Sequence, residues 1–157
     1  MSEALKLAEY LARTPRILVI DDESVIQMAF GRLKRYYDLD IVTAYSPEQG
    51  LHALGQGRFD AVFVDMKFGG VSDGMDVIRA LNIRDDDASV VIMSGSINLH
   101  SVMVEANQLG IVSFMAKPVN FTTQLLVSVM KRLKIRLRPA DPNSTGDMQP
   151  PLVEEPT

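Results

Sequence analysis

The sequence contains no cysteine, no tryptophan and two histidines, His52 and His100. Without thiols there is no disulfide framework, no thiolate nucleophile and no cysteine zinc site, and two isolated imidazoles are too few for a histidine metal cluster. A metal, if one is held, is therefore expected on oxygen ligands. No apolar run reaches the length of a membrane helix, and Glu3 and Glu9 stand where a signal peptide would carry basic and then apolar residues. The expectation is a cytoplasmic protein with no membrane contact. A basic excess is lacking as well: 16 Lys and Arg against 20 Asp and Glu leave a net charge of −4. Nucleic acid is not expected as a primary partner, because neutralising phosphates requires a basic surface.

What is present suits one sizeable core with tails, in 157 residues of which 46% are hydrophobic. Five short apolar runs stand out: Ile17 to Ile20, Ile41 to Val42 with its flanks, Ala61 to Val64, Val90 to Met93, and Ile111 to Met115. They are continuous rather than alternating, as in strands buried on both faces of a parallel sheet. Helical spacing fills the intervals. Ile26, Ala29, Phe30, Leu33 and Tyr37 share one face, and Ser46, Pro47 and Gln49 form a start signal for the next helix, which Gly55 and Gly57 end. Met75, Ile78 and Leu81 place a third helix, Val102, Ala106 and Leu109 with Gly110 as stop a fourth, and Leu126, Val129, Met130 and Leu133 a fifth. Strand and helix alternating in this way predict a doubly wound α/β domain at residues 15–137 with helices on both sheet faces.

Outside it, residues 1–14 read as a helical extension, with Ala4, Leu5, Ala8, Leu11 and Ala12 available for docking. Residues 138–157 hold five of the eight prolines and few large apolar side chains, and are expected to form a disordered tail because burial cannot offset their ordering entropy.

In a doubly wound sheet, ligands bind beyond the carboxyl ends of the strands. There the first run ends in Asp21-Asp22-Glu23, the third in Asp65 and the fourth in Ser94-Gly95-Ser96, and the fifth leads into Lys117-Pro118. Carboxylates this close repel and raise one another's pKa unless a cation joins them. Oxygen ligands at one open edge suit Mg²⁺, which keeps waters and bridges to phosphoryl oxygens. A lysine and a serine can balance the remaining phosphoryl charge, and positioning with electrostatic stabilisation is most of what phosphoryl transfer asks of a protein. Each motif also has a plainer reading. Asp21 and Asp22 could be a solvated turn facing a helix dipole, Ser94 a helix N-cap, and Lys117 a surface side chain. Asp85, Asp86 and Asp87 read as a solvated loop, and the basic stretch from Lys131 to Arg138 as a favourable helix end.

The segments Arg16 to Glu23, Val62 to Asp65, Val91 to Gly95 and Phe114 to Pro118 resemble, in order, the receiver domain of bacterial two-component response regulators. The resemblance implies a flavodoxin-like five-stranded parallel sheet in the order 2-1-3-4-5. It implies Asp65 as the phosphoacceptor, serving a sensor histidine kinase or phosphotransfer protein, with Asp22, Asp65 and the main-chain carbonyl of Lys67 on Mg²⁺ and Asp21 assisting through water. Lys117 would pair with the phosphoryl group and Ser94 would hydrogen-bond it, vacating space into which the switch residue Phe114 turns. The surface made by the last two helices and the strand between them would then change its affinity for a downstream protein. The family's Lys-Pro bond is typically cis, which makes Lys117-Pro118 a candidate for that isomer.

The chain departs from the family in three places. Phe114 lacks the hydroxyl of the common tyrosine, so its switching would rest on packing. The loop after Asp65 lacks a frequent proline and is one residue longer. Lys67 and Ser96 occupy positions that tune water access to the acyl phosphate. With no output domain in view, a single-domain regulator acting through protein contacts is expected, not an enzyme, although with intrinsic autophosphorylation and autodephosphorylation chemistry. Alternatives are a receiver-like scaffold independent of phosphorylation, and a haloacid dehalogenase-like phosphohydrolase, which would usually show an Asp-x-Asp motif after the first strand.

Overall fold

The computed structural model describes residues 2–66, 74–84, 88–95, 100–109, 113–117, 121–141 and 143. Five strands, β1 (Arg16–Ile20), β2 (Asp40–Ala44), β3 (Ala61–Asp65), β4 (Ser89–Ser94) and β5 (Ser113–Ala116), form one parallel sheet in the order β2-β1-β3-β4-β5. The helices are α1 (Glu3–Ala12), α2 (Ser24–Leu33), α3 (Pro47–Gly55), α4 (Met75–Arg84), α5 (His100–Gln108) and α6 (Thr123–Arg132).

The continuous apolar runs are explained by two cores on opposite sheet faces. Ile17, Val19, Ala61, Phe63, Val91 and Met93 point to one face, where they meet Ile26, Ala29, Phe30 and Leu33 of α2 and Leu126, Val127 and Met130 of α6. Phe30 packs edge-on against Phe63 with ring centroids 4.8 Å apart. Leu18, Ile20, Val62, Val64 and Ile92 point the other way, onto Leu54 of α3, Met75, Val77, Ile78 and Leu81 of α4, and Ala106 of α5. Alternate residues along each central strand thus serve opposite cores, which removes any polar-facing register.

The start of α3 follows its sequence signal with one shift. Ser46 Oγ accepts from Gln49 N–H at 3.1 Å, while Gln49 Oε1 accepts from Tyr45 N–H at 2.8 Å, one residue before the N-cap. α6 ends without glycine. Ile135 N–H donates to Met130 C=O and Lys134 N–H to Lys131 C=O, each at 3.0 Å, with Lys134 at φ 59°. This is a Schellman closure with lysine in the left-handed position that glycine normally takes.

The docking expected of α1 is not seen. None of its residues is buried, and Leu5 and Leu7 are 58% and 57% exposed. Polar bonds near its C-terminal end hold it instead. Arg136 donates to Leu11 C=O, Arg138 to the Ala12 and Arg13 carbonyls, and Arg13 makes a two-pronged pair with Asp60. The ordered chain also continues past Leu137: Asp38 N–H donates to Arg138 C=O and Ala140 N–H to Tyr36 C=O, both at 2.8 Å, flanking an antiparallel bridge between Tyr37 and Pro139. Tyr37 lies beyond the end of α2, yet it is buried against the same core as that helix's apolar face.

Candidate functional site

The sheet order sets β1 and β3 side by side, with β4 next to β3 and β5 outermost, so their carboxyl ends deliver side chains to one edge. Asp21 follows β1 directly, Asp65 is the last residue of β3, Ser94 the last of β4, and Lys117 follows β5. Register aligns them: Asp65 pairs with Met93, Ser94 with Ala116, and Lys117 N–H donates to Ser94 C=O at 2.8 Å. Asp21, Asp65 and Ser94 are buried.

Their charges converge on one ammonium. Lys117 Nζ lies 2.7 Å from Asp21 Oδ2, 2.9 Å from Glu23 Oε1 and 3.2 Å from Asp65 Oδ2. Asp21 Oδ1 accepts Glu23 N–H at 2.9 Å, which closes the turn into α2. Asp21, Asp22, Glu23 and Asp65 each offer a carboxylate oxygen within 4.8 Å of the others. Burial pushes the Asp21 carboxyl above the usual aspartate range and the Asp65 charge adds to this, against the opposing pull of Lys117 and the Glu23 N–H. Burial alone would push the Lys117 ammonium down. The hydrogen bonds to Asp21 and Glu23, with the charges of Asp21 and Asp65, outweigh it and hold the group well above the usual lysine range. The edge therefore gathers more negative charge than a single ammonium balances, and this all-oxygen donor set, buried at Asp21 and Asp65 and exposed at Asp22 and Glu23, fits a hard divalent cation.

Asp21, Asp22, Asp65 and Lys117 are brought together as the sequence reading expected, and Ser94 lies at the adjoining strand end. Phe114 sits on β5 opposite Ile92, half-buried against the core that contains Ile92 and Ala106. Lys67, Ser96, Asp85 to Asp87, Gly110 and Pro118 lie outside the described residues, and with them the Lys67 carbonyl and the Lys117-Pro118 bond.

Two residues at this edge were not foreseen in these roles. Glu23 was visible as the third acid of its run, but nothing local announced that its side chain reaches Lys117, 94 positions on. Gln27 is buried in α2, with Nε2 at 3.1 Å from Val19 C=O, 3.0 Å from Asp21 C=O and 3.0 Å from Ala44 C=O. It ties the ends of β1 and β2 to the turn that carries Asp21. Its one sequence signal was a polar residue beside the apolar face of α2.

A doubly wound parallel sheet with buried aspartates and a lysine at its carboxyl edge defines a class of domain built to handle a charged group there. The chain belongs to the response regulator receiver domain family, whose model matches residues 17–129. Receiver domains of this family are signalling domains that accept phosphate from histidine kinases. Among known proteins the chain is 26% identical over 136 residues to the transcriptional regulatory protein PrrA of Mycobacterium bovis, covering 87% of this chain and 55% of that one. It is 32% identical over 124 residues to the alginate biosynthesis transcriptional regulatory protein AlgB of Pseudomonas aeruginosa, covering 77% and 26%. The chain thus spans about half or less of these two relatives. Among solved structures, a CheY-like receiver domain protein from Methanospirillum hungatei superposes with a TM-score of 0.65 at 21% identity, covering 78% of this chain and 95% of that one. The beryllofluoride-activated DrrB receiver domain superposes with a TM-score of 0.64 at 19% identity, covering 79% and 100%. Among the described residues no helix is long and apolar enough to cross a membrane.

Proposed function

We propose that this chain is a cytoplasmic phosphoacceptor in a two-component relay, taking a phosphoryl group on Asp65 from a histidine kinase or phosphotransfer protein and signalling through changed protein contacts. The convergence of Lys117 on Asp65 and Asp21, from three strand ends at one edge, carries this reading. An Asp65 carboxylate oxygen attacks the phosphorus of an N-phosphoryl imidazole. The P–O bond forms as the P–N bond breaks, and the leaving imidazole takes up a proton. Asp21, Asp22 and Asp65 are the residues that would hold Mg²⁺, which when bound supplies neutralisation of the crowded carboxylates and of the phosphoryl oxygens. Lys117 pairs with the new acyl phosphate and the Ser94 hydroxyl donates to it, drawing the ends of β4 and β5 inward. Phe114, half-buried on β5, transmits that movement to the face shared with α5 and α6. Val25 and Met28, 62% and 60% exposed on α2 beside the acidic edge, offer an apolar footing for the phosphodonor protein.

The test is intact-mass spectrometry after incubation with acetyl phosphate, with and without Mg²⁺, on the native chain and on Asp65→Asn. One phosphoryl adduct that needs Mg²⁺ and vanishes in the variant is expected. Labelling that persists at another residue refutes the assignment of Asp65. Absence of any adduct, together with absence of beryllofluoride binding, points to the phosphorylation-independent scaffold, and repeated turnover of phosphate esters to the phosphohydrolase.

A further inference from the structure

Glu23 occupies the N-cap position of α2, yet its side chain makes no cap hydrogen bond. Its backbone carbonyl accepts from Ile26 and Gln27 N–H, at 3.1 and 3.3 Å, so the first turn closes without the carboxylate. The side chain instead reaches to the end of β5, where Oε1 lies 2.9 Å from Lys117 Nζ. A lysine ammonium has three N–H donors. Three carboxylates, Asp21, Glu23 and Asp65, crowd this one within 3.2 Å, and Glu23 Oε1 accepts one of its N–H groups.

An incoming phosphoryl oxygen must find room at Lys117 among these carboxylates, and it gains the N–H held by Glu23 when that side chain gives way. Asp65 is the group being phosphorylated. The Asp21 side chain is fully buried, and turning it from its cation would leave a buried charge without compensation. The Glu23 side chain is 54% exposed, and its carboxylate can swing into water at little cost.

We propose that Glu23 is the displaceable partner of Lys117: it holds the ammonium in the unphosphorylated protein and yields its N–H to the phosphoryl group. The proposal rests on the reading of Asp65 as phosphoacceptor. Glu23 is then a positioning residue, acting through Lys117, and it sets a brake on phosphorylation because its ion pair must break each time.

The experiment measures the rate constant of acetyl phosphate labelling by intact mass, in saturating Mg²⁺, for the native chain, E23Q and E23D, each at low and high salt. E23Q loses the charge, while E23D keeps it but is one methylene too short to reach as Glu23 does. Both variants should label about two- to five-fold faster than the native chain at low salt, the range an exposed ion pair allows. High salt should bring the native rate toward theirs, since screening weakens the same pair. A merely structural role would not produce this convergence with salt. Equal rates for native and E23Q overturn the proposal, and so does slower labelling of E23Q. E23D behaving as the native chain also overturns it, because charge at the mouth and not contact with Lys117 would then be responsible. Absence of both labelling and beryllofluoride binding in all three proteins removes the phosphoacceptor reading, and the proposal falls with it, whereas labelled native chain with an unaltered E23Q leaves that reading standing.

Discussion

Replacing Gln27 with leucine tests how the fold holds Asp21. The Gln27 amide nitrogen has two N–H groups and three carbonyl oxygens within 3.1 Å, those of Val19, Asp21 and Ala44, while its Oε1 finds no donor among the described residues. Leucine is close in size, so the substitution chiefly removes hydrogen bonds. Ala44 C=O keeps a partner, because Asp21 N–H also donates to it at 3.0 Å. Val19 C=O keeps its ladder partner on β2, so one buried carbonyl, that of Asp21, loses its donor at a cost of about 2 kcal/mol, and removing the unpartnered Oε1 returns roughly 1 kcal/mol. A net loss of about 1 kcal/mol is expected. Urea unfolding followed by circular dichroism should show a lower midpoint at an unchanged slope. The turn into α2 would also hold Asp21 less firmly, so acetyl phosphate labelling should fall more at limiting than at saturating Mg²⁺. Stability within about 0.5 kcal/mol of the native chain, with the same Mg²⁺ dependence, would refute the reasoning.

Three further expectations follow from local geometry. A Cβ at Gly74 would collide with the main-chain carbonyl of Asp65 and come within 2.7 Å of Val64 Cγ1, so Gly74→Ala should cost about 1–3 kcal/mol and slow labelling of Asp65; an unchanged rate and midpoint would contradict this. Burial pushes the Tyr37 hydroxyl above its ordinary pKa of 10.0, so the unfolded chain ionises first and stability falls as pH rises through 10.0 toward the folded value. Tyr37→Phe should flatten that part of the stability profile, and parallel profiles would count against it. Lys134 sits at φ 59°, where a side chain is strained by more than glycine's added freedom costs in the unfolded chain, so Lys134→Gly should raise the urea midpoint by the equivalent of about 0.5–1 kcal/mol, and an unchanged or lower midpoint would contradict this.

The strands and helices were legible because their signals are local. A run such as Ala61 to Val64 has no polar register to offer a half-exposed sheet, and Ser46, Pro47 and Gln49 mark a helix start within four residues. The acids at the ends of β1 and β3 and the lysine after β5 could be read as one site, because strand ends in this architecture share an edge. Beyond that reach the sequence is silent. The apolar residues of α1 suggested a face for docking, but the arginines at positions 136 and 138 and the Arg13–Asp60 pair hold it by its C-terminal end and leave its leucines in water. α6 stops without glycine, since burial of Ile135 against Met130 stabilises a turn whose backbone lysine does not favour. Glu23 and Gln27 carry no periodic or capping signal for what they do. Their partners, Lys117 at the end of β5 and Ala44 at the end of β2, come within reach through pairings between strands far apart in the chain. Residue type and local spacing determined the elements and the chemistry available at the sheet edge. Tertiary packing alone decided which carboxylates share the ammonium and which buried amide holds them there, because those contacts depend on long-range register.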